Sequence, residues 1–112
     1  MIELYIWGAR GSYSISGQES IKYGGNTSCI TVKWKGNYYI FDSGTGIINF
    51  GKTNNDLKKA TLFLSHLHYD HVIGLPFFSK IWDKDFSMKI FSGTLSKIGG
   101  IKSFLKNKVS VL

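Results

Sequence analysis

The 112-residue sequence has little of what would mark a secreted or membrane protein. It contains one cysteine, Cys29, and one proline, Pro76, and no apolar run near the roughly 20 residues that span a bilayer. A lone cysteine excludes an intrachain disulfide framework. The opening Met-Ile-Glu-Leu has no basic region followed by an apolar core, so a secretory leader is not expected. These absences predict a soluble, cytoplasmic protein with no membrane partner.

Acidic residues are also few, 7 against 14 Lys and Arg, and the formal net charge is +7. The excess is not spread evenly. From Lys80 onward seven lysines face only Asp83 and Asp85, whereas residues 1–79 carry six lysines and Arg10 against five acids. Lysines spaced singly at 97, 102, 106 and 108 read as the solvated face of a helix rather than a phosphate-binding stripe, with RNA left open as a partner. With 43% hydrophobic and 15% aromatic residues the composition is that of a folded domain, and the length allows one at most.

The local pattern mixes α and β. Ile2 to Trp7 reads as a strand closed by Gly8 and followed by a long Gly-, Ser- and Asn-rich loop. Ile30, Val32 and Trp34 alternate with Thr31, Lys33 and Lys35, Gly36-Asn37 offers a turn, and Tyr38 to Phe41 returns, which predicts a β-hairpin. Thr61 to Leu64 is a continuous apolar run, suited to a strand buried on both faces. Beyond it the pattern predicts a short helix over 72–82 with Pro76 in its first turn, a strand over 88–91 and an amphipathic helix over 94–105.

Histidine is scarce too, and all of it lies in one place. Ser65-His66-Leu67-His68-Tyr69-Asp70-His71-Val72-Ile73-Gly74 holds all 3 histidines, and no histidine follows His71. If this stretch were helical, His66 and His68 would lie about 200° apart and could not converge. An extended backbone points residues i and i+2 to the same side. His66 and His68 would then reach one metal ion, and a turn after the strand would bring Asp70 and His71 toward a second. Imidazole and carboxylate at this density suit zinc, with manganese or iron as alternatives. The competing readings are three polar residues in an exposed loop, or a histidine or two satisfied by hydrogen bonds at a domain edge.

The motif His66-Leu67-His68-Tyr69-Asp70-His71 resembles the metal-binding signature of the metallo-β-lactamase superfamily. The likeness extends to Trp7-Gly8-Ala9-Arg10-Gly11-Ser12, to Tyr23 through Cys29, to Phe41-Asp42-Ser43-Gly44-Thr45-Gly46 and to Gly74-Leu75-Pro76-Phe77-Phe78. These are similar to the ribonuclease Z-like and cyclic-nucleotide phosphodiesterase-like branches. Ser12-Tyr13-Ser14-Ile15 departs from the pattern, since many relatives carry proline there. The resemblance implies an α/β (α+β) fold, an αββα sandwich, with up to two divalent ions at one edge. His66 and His68 would bind the first ion, and Asp70 and His71 the second. Asp70 would also be the catalytic carboxylate, and a metal-bound hydroxide the nucleophile in hydrolysis of phosphodiester or related ester bonds. Asp42 would orient a ligand histidine or the loop from outside the ligand set; equally, it reads as a strand-end Asp bonded to the Gly44 turn.

Relatives complete both metals with downstream residues that have no counterpart here, and Asp83 and Asp85 stand too close to His71 to supply the bridging carboxylate. Residues 1–112 therefore read as a single partial domain, the truncated N-terminal half. Half a sandwich predicts an uncovered apolar sheet face, and hence self-association or a complementary chain. The substrate class implied is a small molecule or nucleotide. A non-enzymatic subunit binding another chain is the alternative.

A nucleotide- or nucleic-acid-binding module is a further alternative, because Gly46-Ile47-Ile48-Asn49-Phe50-Gly51-Lys52-Thr53 matches the phosphate-loop pattern after a strand. Bulky Ile47, Ile48 and Phe50 favour an apolar helical turn instead. Arg10 reads equally as a contact for an anionic substrate and as a surface charge.

Overall fold

A computed structural model describes residues 1–65 and 67–92 of the chain. His66 and the predicted helix over 94–105 lie outside the described residues.

Five strands, β1 (Glu3–Gly8), β2 (Cys29–Trp34), β3 (Asn37–Phe41), β4 (Lys59–Phe63) and β5 (Ser87–Phe91), form one sheet in that spatial order. The pairs β1–β2 and β2–β3 are antiparallel, and β3–β4 and β4–β5 are parallel. The sheet is therefore mixed, with β1, β3, β4 and β5 all running the same way and ending along one edge. Parallel neighbours require a crossover. Helix α1 (Gly46–Thr53) lies in the first crossover, and α2 (Tyr69–Val72) with two 3₁₀ turns, Leu75–Phe77 and Ser79–Trp82, lies in the second.

The hairpin turn sits at Lys35-Gly36, one residue earlier than the sequence suggests. Both residues take positive φ, 50° and 77°, as the type I′ turn of a two-residue hairpin requires, and Asn37 is already paired with Trp34. The expected helix over 72–82 is broken. Phe78 is extended at φ −74° and ψ 110° between the two 3₁₀ turns, and regular helix is found earlier, over Tyr69–Val72. Residues 46–53 are helical throughout, so the phosphate-loop alternative loses its structural basis: amides that would have to wrap a phosphate lie in a helix instead. Ile47 and Phe50 face the core, fully buried.

Both crossovers pack on the same face of the sheet. Ile47 and Phe50 of α1, with Leu75 and Phe78, join Cys29, Ile40 and Leu62 in one core cluster. The opposite face is different. Strand pairing aligns Ile6, Ile30, Phe41, Phe63 and Phe91 in a single row across all five strands. The three phenylalanines stack with centroids 5.3 and 5.5 Å apart, yet Phe41 and Phe91 remain 42% and 52% exposed. Strand β4 is thus buried on one face only, through Ala60 and Leu62, while Thr61 and Phe63 are half-buried. The apolar run over 61–64 calls for two covered faces, and among the described residues nothing packs on the second.

Among the described residues no helix is long and apolar enough to cross a membrane.

Candidate functional site

Where β3 and β4 end side by side, the chain leaves the sheet through two polar loops. Asp42 directly follows β3 and takes a positive φ of 65°. Asp tolerates this left-handed conformation better than bulkier residues do, and such strain gathers at functional sites. Its N–H continues the ladder to the Phe63 carbonyl at 2.9 Å. The side chain, in a residue only 8% exposed, accepts three hydrogen bonds: Ser65 N–H at 2.8 Å, Ser65 Oγ–H at 2.7 Å and His71 Nδ1 at 2.8 Å. A buried carboxylate needs such donors. It cannot itself donate when ionised, so the His71 proton is assigned to Nδ1. Nε2 then carries the lone pair, and Asp70 Oδ2 lies 3.3 Å from it.

The loops are locked to each other through backbone. Ser43 donates both its N–H (2.7 Å) and its Oγ–H (3.1 Å) to the His71 carbonyl, and Gly74 N–H returns to the Ser43 carbonyl at 2.9 Å. The approach is so close that a Cβ on Gly74 would overlap the Gly44 carbonyl. Gly44 N–H goes to Ser28 O, and no Asp42 bond to the Gly44 turn is formed among the described contacts. Thr27 and Thr45 exchange N–H to Oγ1 bonds, each 2.8 Å, which fastens the loop before β2 to the start of α1. From the β1–β2 loop, Ser12 N–H donates to Asp70 Oδ2 at 3.1 Å.

Asp42, Asp70 and His71 are therefore together at the sheet edge. His68 is exposed and extended (ψ 146°) at the start of α2, and its carbonyl accepts the His71 N–H at 2.9 Å. His66 lies outside the described residues. Two donors each about 2.0–2.2 Å from a tetrahedral ion stand roughly 3.4 Å apart, so the 3.3 Å between Asp70 and His71 suits a shared cation. Among the described residues no group of three or more His, Cys, Asp or Glu side chains could hold an ion. The donor chemistry fits a divalent cation, with a carboxylate–histidine pair behind one ligand as metal sites commonly have.

Several participants escape a reading of the sequence. Ser65, Ser12, Thr27 and Thr45 act through hydrogen bonds to residues 18 to 58 positions away. Asp83 is committed elsewhere: it accepts the Lys80 ammonium at 2.8 Å, which with the Asp85 N–H holds its carboxyl below the usual range. Cys29 is fully buried, and burial, reinforced by the Asp42 charge, pushes its thiol up to about 12. It is packing, not a nucleophile.

Comparisons with known proteins bear on the fold and on part of the sequence. No family model matches the chain. Ribonuclease Z of Haloarcula marismortui is 39% identical over 62 residues, covering 52% of this chain and 19% of that protein. Ribonuclease Z of Thermococcus kodakarensis is 30% identical over 71 residues, covering 59% and 23%. A crystal structure from Thermotoga maritima described as a metallo-β-lactamase superposes with a TM-score of 0.51 and 13% identity, covering 98% of this chain and 52% of that one. The matches span about a fifth of the curated relatives and about half of the structural neighbour. The fold is that of the metallo-β-lactamases, met here over part of its length. In sequence, the chain is similar to part of each of the two ribonuclease Z proteins.

Proposed function

We propose that the chain supplies the metal-binding first half of a cytoplasmic hydrolase acting on phosphodiester or related ester bonds, with RNA as the substrate class. His66 and His68 would hold one divalent ion, zinc or else manganese or iron, and Asp70 and His71 a second. Such ions, when bound, supply an activated water and positive charge for the substrate oxygen. The chain's own contribution is order. Asp42 holds His71 by Nδ1 so that Nε2 faces Asp70, and Ser65 and the Ser43 backbone hold that arrangement in place. The 2.8 Å Asp42–His71 bond carries the reading, because a loop histidine without a function has no need of a buried carboxylate behind it. The names of the two archaeal relatives support RNA over other esters.

The test is metal content by elemental analysis of wild type and His71→Ala, with hydrolysis of bis(p-nitrophenyl) phosphate after zinc or manganese addition. Metal and hydrolysis present in wild type and lost in the variant support the reading. A folded wild type that takes up no metal and hydrolyses nothing overturns it for this chain.

A second reading is favoured by the row Ile6, Ile30, Phe41, Phe63 and Phe91: a subunit without turnover that binds another copy or a complementary chain through the open sheet face. It predicts oligomers by light scattering that persist when the metal ligands are replaced.

A further inference from the structure

The β1–β2 connection over residues 9–25 carries groups that the hydrolytic site does not use. Tyr13 and Tyr23 are 64% and 82% exposed, and each has a cation beside its ring: the Arg10 guanidinium lies 4.9 Å from the Tyr13 centroid, and the Lys22 ammonium 5.2 Å from that of Tyr23. Arg10 is fixed in this position, since its Nε–H donates to the Tyr13 carbonyl at 2.8 Å.

Two backbone contacts tie this loop together and to the site. Ile15 N–H bonds Gly25 O at 2.9 Å, which places Tyr13 and Tyr23 each two residues from a shared junction. Ser12, next to Tyr13, donates its N–H to Asp70. Both ring and cation pairs thus lie in a loop that is anchored to Asp70 one residue before Tyr13.

We infer that this loop is a docking track for single-stranded RNA beside the hydrolytic site. The inference rests on the hydrolase reading for the RNA class and on the loop for the binding mode. An exposed ring offers a face on which an unpaired base stacks regardless of sequence, and a neighbouring cation meets the phosphate that follows. Duplex RNA hides its base faces within the stack and offers phosphates, 2′-hydroxyls and groove edges, none of which stacks on a ring. An apolar protein partner would leave Arg10 and Lys22 desolvated without a counter-charge.

The test is fluorescence anisotropy of the full chain with a labelled oligouridylate 12-mer and with an RNA duplex of equal length, in EDTA so that binding is read apart from hydrolysis. The single strand binds more tightly than the duplex. Tyr13→Ala and Tyr23→Ala each weaken it about tenfold, Tyr13→Phe and Tyr23→Phe keep it, and Lys59→Ala at the opposite end of the sheet leaves it unchanged. Equal affinity for duplex, no binding of the single strand, or indifference to both alanine variants overturns the inference. Hydrolysis of bis(p-nitrophenyl) phosphate, scored separately with added zinc or manganese, separates the two failures. Lost hydrolysis with intact RNA binding counts against the hydrolase reading, and hydrolysis without tyrosine-dependent binding counts against the track.

Discussion

Asp42 accepts the Nδ1 hydrogen bond of His71 at 2.8 Å across 29 residues of chain, and does so from a backbone held at φ 65°. The pair joins the end of β3 to the helical turn after β4. Replacing the carboxylate by an amide keeps the shape and the tolerance of positive φ but removes the charge behind the imidazole. Asp42→Asn is expected to lower zinc affinity about 10- to 100-fold, measured by competition with a chromogenic chelator. Unchanged affinity would show that His71 needs no orienting partner.

The two loops meet at glycines because backbone meets backbone there. Gly74→Ala puts a methyl into the Gly44 carbonyl, and Gly44→Ala meets Thr27 and the Asp70 carbonyl. Each should cost about 1–3 kcal/mol in urea denaturation, by overpacking. Gly11→Ala, where an added Cβ meets nothing within 4 Å, should cost little and serves as the control.

Burial of Cys29 gives a pH dependence of known sign. Its thiol pKa is raised from 9.0 to about 12 in the folded chain, so between those values the folded state binds more protons than the unfolded state. This contribution to stability is full below about pH 9 and is lost as pH rises toward 12. Denaturation followed over that range should show a decline that Cys29→Ala reduces. At pH 8 the thiol should react with a disulfide reagent only after denaturant is added.

The aromatic clusters on the two sides of the sheet should respond differently to substitution. Phe50, fully buried between Trp7, Tyr38 and Phe78, should cost about 3–5 kcal/mol on replacement by alanine. Phe41→Ser with Phe91→Ser, on the open face, should change monomer stability far less and shift light-scattering mass toward the monomer. Loss of folding in the double serine variant would mean that the row supports the sheet itself.

Much of the local architecture was legible in residue order, because it rests on neighbours. The hairpin follows from alternation between Ile30 and Trp34, and its turn was displaced by one residue because positive φ at Lys35 and Gly36 matches the strand twist better than a turn at Asn37. The strand before the histidines follows from the apolar run. The helix expected over 72–82 is broken in the structure, since a pattern of apolar residues around Pro76 does not reveal that Phe78 extends to enter the core under α1.

Residue order alone supplies the inventory: three histidines and Asp70 within a few residues after an apolar run, with His66 and His68 spaced so that an extended backbone, not a helix, would bring them to one side. The tertiary structure decided which carboxylate stands behind which imidazole. Asp42 reaches Ser65 and His71 because β3 and β4 pair in parallel and end at the same edge, and Ser12 reaches Asp70 because β1 ends there too. It also decided which sheet face is left open among the described residues, since strand alternation makes two faces but only the side taken by the crossovers determines which one is buried.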